Sequence, residues 1–197
     1  MRFTALFSIL LAISFACSSG SQPPPAGEPV DFSASSGADT RSGSLHFHAP
    51  EGWIEEQPSS QMRRAQYRLP GQGGEDDAEL AIFVFPGTGG SVQANVDRWI
   101  GQFIQPDGSS SADKAEISKR EVNGLPVTFV SLTGTYDPGS MAPMAGGTSE
   151  PREGYKLIAA IIETASDPWF LKLTGPEATV AYWEDSFDAF LESVHAE

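Results

Sequence analysis

The hydrophobic and polar positions of this chain follow two different periods, which predict strands in some segments and helices in others. Residues 45–49 alternate between apolar and polar side chains, which predicts a strand that ends at the Pro-Glu-Gly-Trp turn of residues 50–53. Residues 78–85 are almost continuously apolar, as expected for a central strand that is covered on both faces. Such a strand predicts helices packed against the sheet.

Two segments carry their apolar residues at helical spacing, and each places them on one face. The first begins after Ser91, a typical N-cap residue, and ends before Pro106. Its apolar stripe consists of Val92, Val96, Trp99, Ile100, Phe103 and Ile104. The second opens at Pro176, a residue type favoured in the first turn of helices. Its apolar face consists of Val180, Trp183, Phe187, Phe190, Leu191 and Val194.

Between the two helices the pattern predicts antiparallel strands joined by tight turns. Residues 115–122 and 125–136 flank Asn123-Gly124, a dipeptide typical of two-residue hairpins. Residues 155–164 and 169–174 form a second predicted hairpin around residues 166–168. The sequence therefore predicts one α+β domain over residues 44–197, in which a mostly antiparallel β-sheet is flanked by two amphipathic helices.

A long connection, residues 137–154, separates these hairpins and is rich in Pro, Gly and Met. Structureless loops of this length are uncommon inside compact domains and are usually functional or disordered. Met141 and Met144 give the segment an adaptable apolar tip that suits a partner or ligand, and Arg152 is a further candidate in it. The alternative interpretation is a mobile hairpin connection.

The chain opens with an apolar leader that ends at Cys17, its one cysteine. Residues 1–16 have the features of a secretory signal peptide and are too short to span a bilayer, which takes about 20 apolar residues. An exported cysteine that has no disulfide mate is explained by acylation, so we expect Cys17 to carry the lipid of a bacterial lipoprotein. Residues 17–43, rich in Ser, Gly and Pro, then predict a tether that holds the domain away from the membrane.

Charge narrows the classes of partner that this chain can have. The sequence has 12 Lys and Arg against 26 Asp and Glu, a net charge of −14, which disfavours nucleic acid and anionic lipid head groups. Its one cluster of basic residues, Arg63, Arg64 and Arg68, predicts the solvent face of a strand. We therefore expect the membrane to be reached through the lipid anchor, and any partner to be an envelope protein.

Two histidines offer the best candidate for chemistry. His46 and His48 stand two residues apart on a predicted strand, so both imidazoles would project from one face and could share a metal ion. The alternative interpretation is an outer strand face on which polar residues alternate with Leu45 and Phe47. His195, near the C-terminus, is predicted to be frayed and inert.

Other loops suggest sites only weakly. Residues 87–91 precede a helix, where free amides can hold an anion, but a flexible turn capped by Ser91 explains them as well. The acidic residues Glu75, Asp76, Asp77 and Glu79 lack the ligand spacing of a calcium loop, and a solvated acidic turn explains them. Motifs for hydrolysis, such as Gly-x-Ser-x-Gly and His-Glu-x-x-His, are missing from the sequence. The sequence thus predicts no enzyme activity and no cofactor.

The order of elements resembles the PsbP/Mog-like α/β/α sandwich, found in photosystem accessory proteins, a nuclear-transport cofactor and many bacterial lipoproteins. Three features carry the resemblance: the turn at residues 50–53, the aromatic strand at residues 169–173, and Ser186-Phe187 in the last helix. The resemblance implies a binding or accessory protein, since members of that group mostly act in this way.

Taken together, the sequence predicts an exported envelope protein with a non-enzymatic binding role. We expect it in the outer membrane, facing the periplasm or the cell surface, because Ser18 follows Cys17 and the enteric sorting rule sends such lipoproteins there. The alternative function is a metal-dependent protein or enzyme that uses the strand face of His46 and His48.

Overall fold

The computed structural model describes residues 45–139 and 150–196. These ranges contain three helices: α1 (Val92–Ile100), α2 (Ser111–Lys114) and α3 (Glu177–Glu192). They also contain ten strands: β1 (Leu45–His46), β2 (Ile54–Glu56), β3 (Arg63–Leu69), β4 (Ala78–Val84), β5 (Phe103–Ile104), β6 (Glu116–Val122), β7 (Leu125–Tyr136), β8 (Arg152–Ile162), β9 (Trp169–Pro176) and β10 (His195–Ala196).

Eight of these strands form one antiparallel sheet. Its order is β2-β3-β4-β9-β8-β7-β5, and β6 also pairs with β7. The long strand β7 pairs along its whole length with β8, and its other edge is shared by β6 and β5. The first and last strands, β1 and β10, form a separate two-stranded pair. The predicted α+β class, with a mostly antiparallel sheet, is confirmed.

The sheet is buried on both faces, which divides the core in two. In β8, Ile158, Ala160 and Ile162 belong to the cluster that packs with α3, and the intervening Leu157, Ala159 and Ile161 belong to the cluster that packs with α1. Alternate residues of a strand point to opposite faces, so α1 and α3 cover opposite sides of the sheet. The predicted flanking helices are confirmed, with β4 between β3 and β9 in the middle of the sheet.

Helix α1 ends earlier than its apolar stripe predicts. It begins after the N-cap Ser91, whose hydroxyl accepts a hydrogen bond from the Ala94 amide, as expected. It ends at Ile100, and Phe103 and Ile104 instead form β5, paired with Tyr136 and Thr135. The helical spacing of these two residues was misleading because their pairing partners lie more than 30 residues further along the chain, beyond the reach of a local pattern.

The Asn123-Gly124 turn is confirmed and has a second role. Both residues have positive φ, 49° and 81°, as a type I′ hairpin requires. The amide of the Asn123 side chain also donates to the carbonyl oxygens of Glu192 and Val194, each at 2.8 Å. It therefore satisfies carbonyl groups at the C-terminal end of α3, which have no partner within the helix.

The Pro-Glu-Gly-Trp turn is a packing feature of the α3 side. Trp53 lies against Tyr67 and Phe190, with ring centroids 5.9 and 5.1 Å away. Gly52 has φ +89° and lies under the Trp183 ring, where a Cβ atom would come within 2.7 Å of that ring. Glycine is required here for both reasons.

Candidate functional site

The α1 face of the sheet changes from apolar to polar where the helix stops. Along β9, Phe170 packs edge-on against Trp99 of α1, with ring centroids 6.3 Å apart. Two residues further on the same face is Lys172, which hydrogen-bonds to Gln102 just beyond the helix. The short helix thus leaves part of the sheet uncovered. We call the resulting depression, about 340 Å³ in volume, the lysine cleft.

Charged and uncharged side chains both line the lysine cleft. The charged ones are Arg63, Asp77, Glu79, Arg152 and Lys172. The uncharged ones are Ala81, Phe83, Tyr136, Pro138, Tyr155 and Thr174. They come from β3, β4, β7, β8 and β9 together with the segments that adjoin β4 and β7, so the site is built on the sheet.

Lys172 is the charged group most deeply set in this cleft. Its Nζ atom donates to Gln102 Oε1 at 2.5 Å and to the Tyr136 hydroxyl at 3.0 Å. It also lies 4.8 Å from the centroid of the Tyr136 ring. Burial lowers the pKa of Lys172 to about 8, with Arg63 and Arg98 acting in the same direction and Glu79 against it. The amine is therefore held by neutral oxygens rather than by a carboxylate.

The two carboxylates of the cleft are already paired with arginines. Glu79 forms an ion pair with Arg63 at 2.8 Å. Asp77 accepts from the Gly71 amide at 2.7 Å and from Arg68 at 2.8 Å. The Gly71 hydrogen bond, followed by that of Arg68, lowers the pKa of Asp77. Both acids are thus engaged before any ligand enters.

Arg152, which also lines the cleft, lies against an aromatic ring. Its guanidinium carbon is 5.6 Å from the centroid of the Tyr155 ring, and Nη1 is 3.5 Å from the Tyr155 hydroxyl. Tyr155 in turn stacks on Tyr136, at 6.1 Å and an interplanar angle of 11°, and burial raises the pKa of Tyr136. Within residues 45–139 and 150–196, Arg152 and Lys172 form no ion pair with a carboxylate.

Of the candidate residues predicted in the long connection, Arg152 is the one that the described ranges include. Arg152 lines the cleft, but as the first residue of β8, so the predicted connection ends at residue 151 and not at 154. Strand pairing with Tyr136 places it there. Met141, Met144 and the predicted lipidation site Cys17 lie outside the described residues, and their roles stay predictions.

The arginine cluster is only partly the solvent face that the sequence predicts. Arg68 fits the prediction, since it forms ion pairs at 2.8 Å with Glu56 and Asp77 at the surface. Arg63 does not, because its side chain is only 19% exposed and lines the cleft. A β-bulge between Arg63 and Ala65 interrupts the alternation from which the prediction was made.

The histidines pair differently from the prediction. Strand β1 ends at His46, so His48 does not share it. The His46 ring instead stacks on that of His195, with centroids 5.4 Å apart, and His195 is part of β10 rather than a frayed end. Among the described residues, no three His, Cys, Asp or Glu side chains come together as a metal site would require.

The glycine-rich turn before α1 is occupied by the protein's own groups. The Gly87 amide donates to the Asp167 carboxylate at 2.8 Å, and Ser91 caps the helix. The capped-turn interpretation therefore fits this segment.

No helix within the two described ranges is long and apolar enough to cross a bilayer.

Sequence reasoning missed Lys172 and Tyr136 as site residues, and it considered Glu79 only as part of an acidic turn that might bind calcium. Two of them carried a visible signal: Lys172 interrupts the apolar run of residues 169–173, and Glu79 interrupts that of residues 78–85. A charge within a strand that is otherwise buried on both faces needs a polar environment. Tyr136 gave no such signal, because it ends a strand of mixed character.

No protein-family model matches the chain, and neither does any curated protein sequence. Several solved structures are similar to it, including the following three. PA94 of Pseudomonas aeruginosa, a protein of unknown function, has a TM-score of 0.47 and 12% identity over 79% of this chain and 99% of its own. The cyanobacterial PsbP protein of Synechocystis sp. PCC 6803 has a TM-score of 0.43 and 15% identity over 82% and 98%. LpqN of Mycobacterium tuberculosis, involved in cell envelope biogenesis, has a TM-score of 0.48 and 14% identity over 86% and 89%. These similarities are distant, and none of them defines the chemistry of the lysine cleft.

Proposed function

We propose that this chain is an exported, lipid-anchored envelope protein that binds a small ligand in the lysine cleft without converting it chemically. The leader at residues 1–16, Cys17 at its end and the tether at residues 17–43 support export and anchoring. The cleft supports the binding role. Its floor and walls come from five strands of one sheet, and sites built on rigid elements hold a ligand with little reorganisation.

One observation carries the proposal: a lysine amine replaces core packing on a sheet face that is apolar where α1 covers it. Lys172 follows Phe170 on the face that packs with α1, yet its amine is directed at Gln102 and Tyr136. Burying a cation without an ion-pair partner costs stability. Such groups cluster at functional sites, where the lost stability is offset by a role in binding or catalysis.

The state of the two acids favours binding over catalysis. A general base needs a pKa near the working pH and a free lone pair for the proton. Asp77 has a lowered pKa and is already bonded to Arg68 and Gly71, and Glu79 is paired with Arg63. Both carboxylates therefore serve to hold arginines in place.

Anchoring is tested by mass spectrometry of the mature N-terminus, after the full-length gene is expressed in a Gram-negative host. We expect a chain that starts at an acylated Cys17 and fractionates with membranes, and a Cys17→Ser variant that lacks the lipid. An unmodified chain that begins at Met1 and stays in the cytosol would overturn this part of the proposal.

Ligand binding is tested by native mass spectrometry of the mature protein purified from membranes. We expect a small molecule to accompany the wild-type protein and to be missing from Lys172→Met. The matched control is Lys156→Met, because Lys156 bonds to Glu184 of α3 at 2.7 Å on the opposite sheet face. Equal ligand content in all three proteins would remove the cleft from the proposal, and conversion of the ligand by the purified protein would overturn the non-enzymatic role.

A further inference from the structure

We infer that the ligand of the lysine cleft is a small organic anion, whose carboxylate or phosphate group is bound by Lys172 and Arg152 while its apolar part lies against the tyrosine rings. This inference rests on the proposed function and names the class of ligand. It does not depend on the lipid anchor.

The charge distribution points to an anion. The chain as a whole has a net charge of −14, but the cleft is lined by three cations and two acids, Arg63, Arg152, Lys172, Asp77 and Glu79. Arg63 and the two acids are committed to ion pairs with protein groups. Glu79 also acts on the Lys172 amine, but Lys172 and Arg152 are hydrogen-bonded to neutral partners in the described structure, so an anion can bind them without displacing a carboxylate from either group.

The donor geometry suits an acid group. Lysine presents a point charge, and arginine presents a planar fork that pairs with two oxygens of a carboxylate or phosphate. Two of the three donor positions of the Lys172 amine are taken by Gln102 and Tyr136, which leaves one for the ligand. The Nη1 atom of Arg152 lies 3.5 Å from the Tyr155 hydroxyl oxygen, which is the limit of hydrogen-bonding distance.

The uncharged lining sets the nature and size of the rest of the ligand. Phe83, Tyr136 and Tyr155 contribute aromatic surface, and the rings of Tyr136 and Tyr155 are held nearly parallel by their stacking. A volume of about 340 Å³ is at the lower end of the range for small-molecule sites. A single aromatic or short aliphatic acid fits this description, and a polymer does not.

The protonation of Lys172 predicts a specific pH dependence of ligand binding. The titratable groups that act on its amine or line the cleft with it are Arg63, Asp77, Glu79, Arg98, Tyr136, Arg152 and Tyr155. Because the pKa of Lys172 is about 8, the amine loses its charge between pH 7 and pH 9. Arginine at the same position would stay charged throughout this interval. Anion affinity should therefore fall with rising pH in the wild type and stay level in Lys172→Arg.

Isothermal titration calorimetry of the full mature lipoprotein in detergent tests this, with benzoate, phenyl phosphate, inorganic phosphate and the neutral benzyl alcohol as probes. At pH 7 we expect at least one of the two aromatic acids to bind and benzyl alcohol to bind about tenfold more weakly or not at all. Comparison of the two acids distinguishes a carboxylate ligand from a phosphate ligand. Inorganic phosphate shows how much of the affinity comes from the acid group alone.

The variants then assign the site. Lys172→Met should weaken the binding of the preferred acid about tenfold or more, Lys172→Arg should retain it without the loss above pH 8, and Lys156→Met should match the wild type. The inference is overturned if benzyl alcohol binds as well as the acids, if Lys172→Met binds as tightly as the wild type, or if no acid binds. If a neutral molecule accompanies the purified wild type and is missing from Lys172→Met, the ligand is not an anion. That result would overturn the inference but leave the proposed binding role intact.

Discussion

The Nζ atom of Lys172 lies 3.0 Å from the hydroxyl oxygen of Tyr136, in the layer between the sheet and the end of α1. The phenol can accept this hydrogen bond but cannot neutralise the charge, and burial raises its own pKa. The pair is therefore a polar inclusion in one of the two cores of the fold. Burial of this pair lowers the free energy of unfolding unless a bound ligand completes its interactions.

Replacing the lysine by an apolar residue should stabilise the ligand-free protein. Lys172→Met removes the cost of burying the cation and fills its volume, and we expect the free energy of unfolding at pH 7 to rise by about 1–3 kcal/mol. Urea denaturation followed by tryptophan fluorescence measures it. A loss of stability of similar size would mean that the bonds to Gln102 and Tyr136 outweigh the burial of charge.

The same substitution predicts a change in pH dependence. The pKa of Lys172 falls from 10.5 to about 8 on folding, so between these values the unfolded chain holds a proton that the folded chain has released. The free energy of unfolding should therefore rise with pH through this window, by the contribution of this one group. Denaturation of wild type and Lys172→Met at pH 7 and pH 9.5 should show the gap between them narrowing. An unchanged gap would contradict the lowered pKa.

Contact between β4 and β9 predicts a strong effect at Gly175. A Cβ atom there would lie 2.7 Å from the Ala78 Cα atom and closer still to its Cβ. Gly175→Ala should thus push the two strands apart and lower the free energy of unfolding by about 1–3 kcal/mol. Thermal denaturation measures the loss.

The matched control removes the opposing methyl group. In the Ala78→Gly background, Gly175→Ala should cost less than it does in the wild type, because the worst contact is gone. Ala78→Gly is also measured alone, since it removes a buried methyl group. An equal cost of Gly175→Ala in both backgrounds would show that the contact with this methyl group is not the cause.

The turn at Asn123 predicts a graded series. Asn123→Gly keeps the positive φ of the turn and removes the bonds to Glu192 and Val194, which should cost about 1 kcal/mol. Asn123→Ala removes the same bonds and adds the strain of a left-handed backbone, about 1 kcal/mol more. Denaturant titration of the three proteins should give this order, and an alanine variant as stable as the wild type would contradict it.

The elements that local patterns predict well are those whose neighbours in sequence are also their neighbours in space. Helix α3, the hairpin at Asn123 and the start of α1 at Ser91 all depend on contacts within a few residues. The end of α1 depends on the pairing of Phe103 with Tyr136, and β10 on the pairing of His195 with His46. Neither partner is visible from the local spacing of apolar residues.

The residues of the candidate site differ in the same way, because some are visible from local sequence and others depend on distant contacts. Arg152 was found because it lies in an unusual segment, whereas Lys172 lies in a strand whose other residues are explained by packing. Its importance comes from the early end of α1, which leaves this part of the sheet without a helix over it. The chemistry of the site thus arises from where the helix stops, and that boundary was the least predictable feature.

Because β1 and β10 lie side by side, the first and last residues that the structure describes are neighbours. Leu45 and Val194 both pack into the core on the α3 side, whereas the lysine cleft opens on the other side of the sheet. A linker joined before Leu45 or after Ala196 would consequently hold the protein from the α3 side of the sheet. Coupled to a sensor chip by either route, the molecule would keep its cleft turned toward the flowing solution.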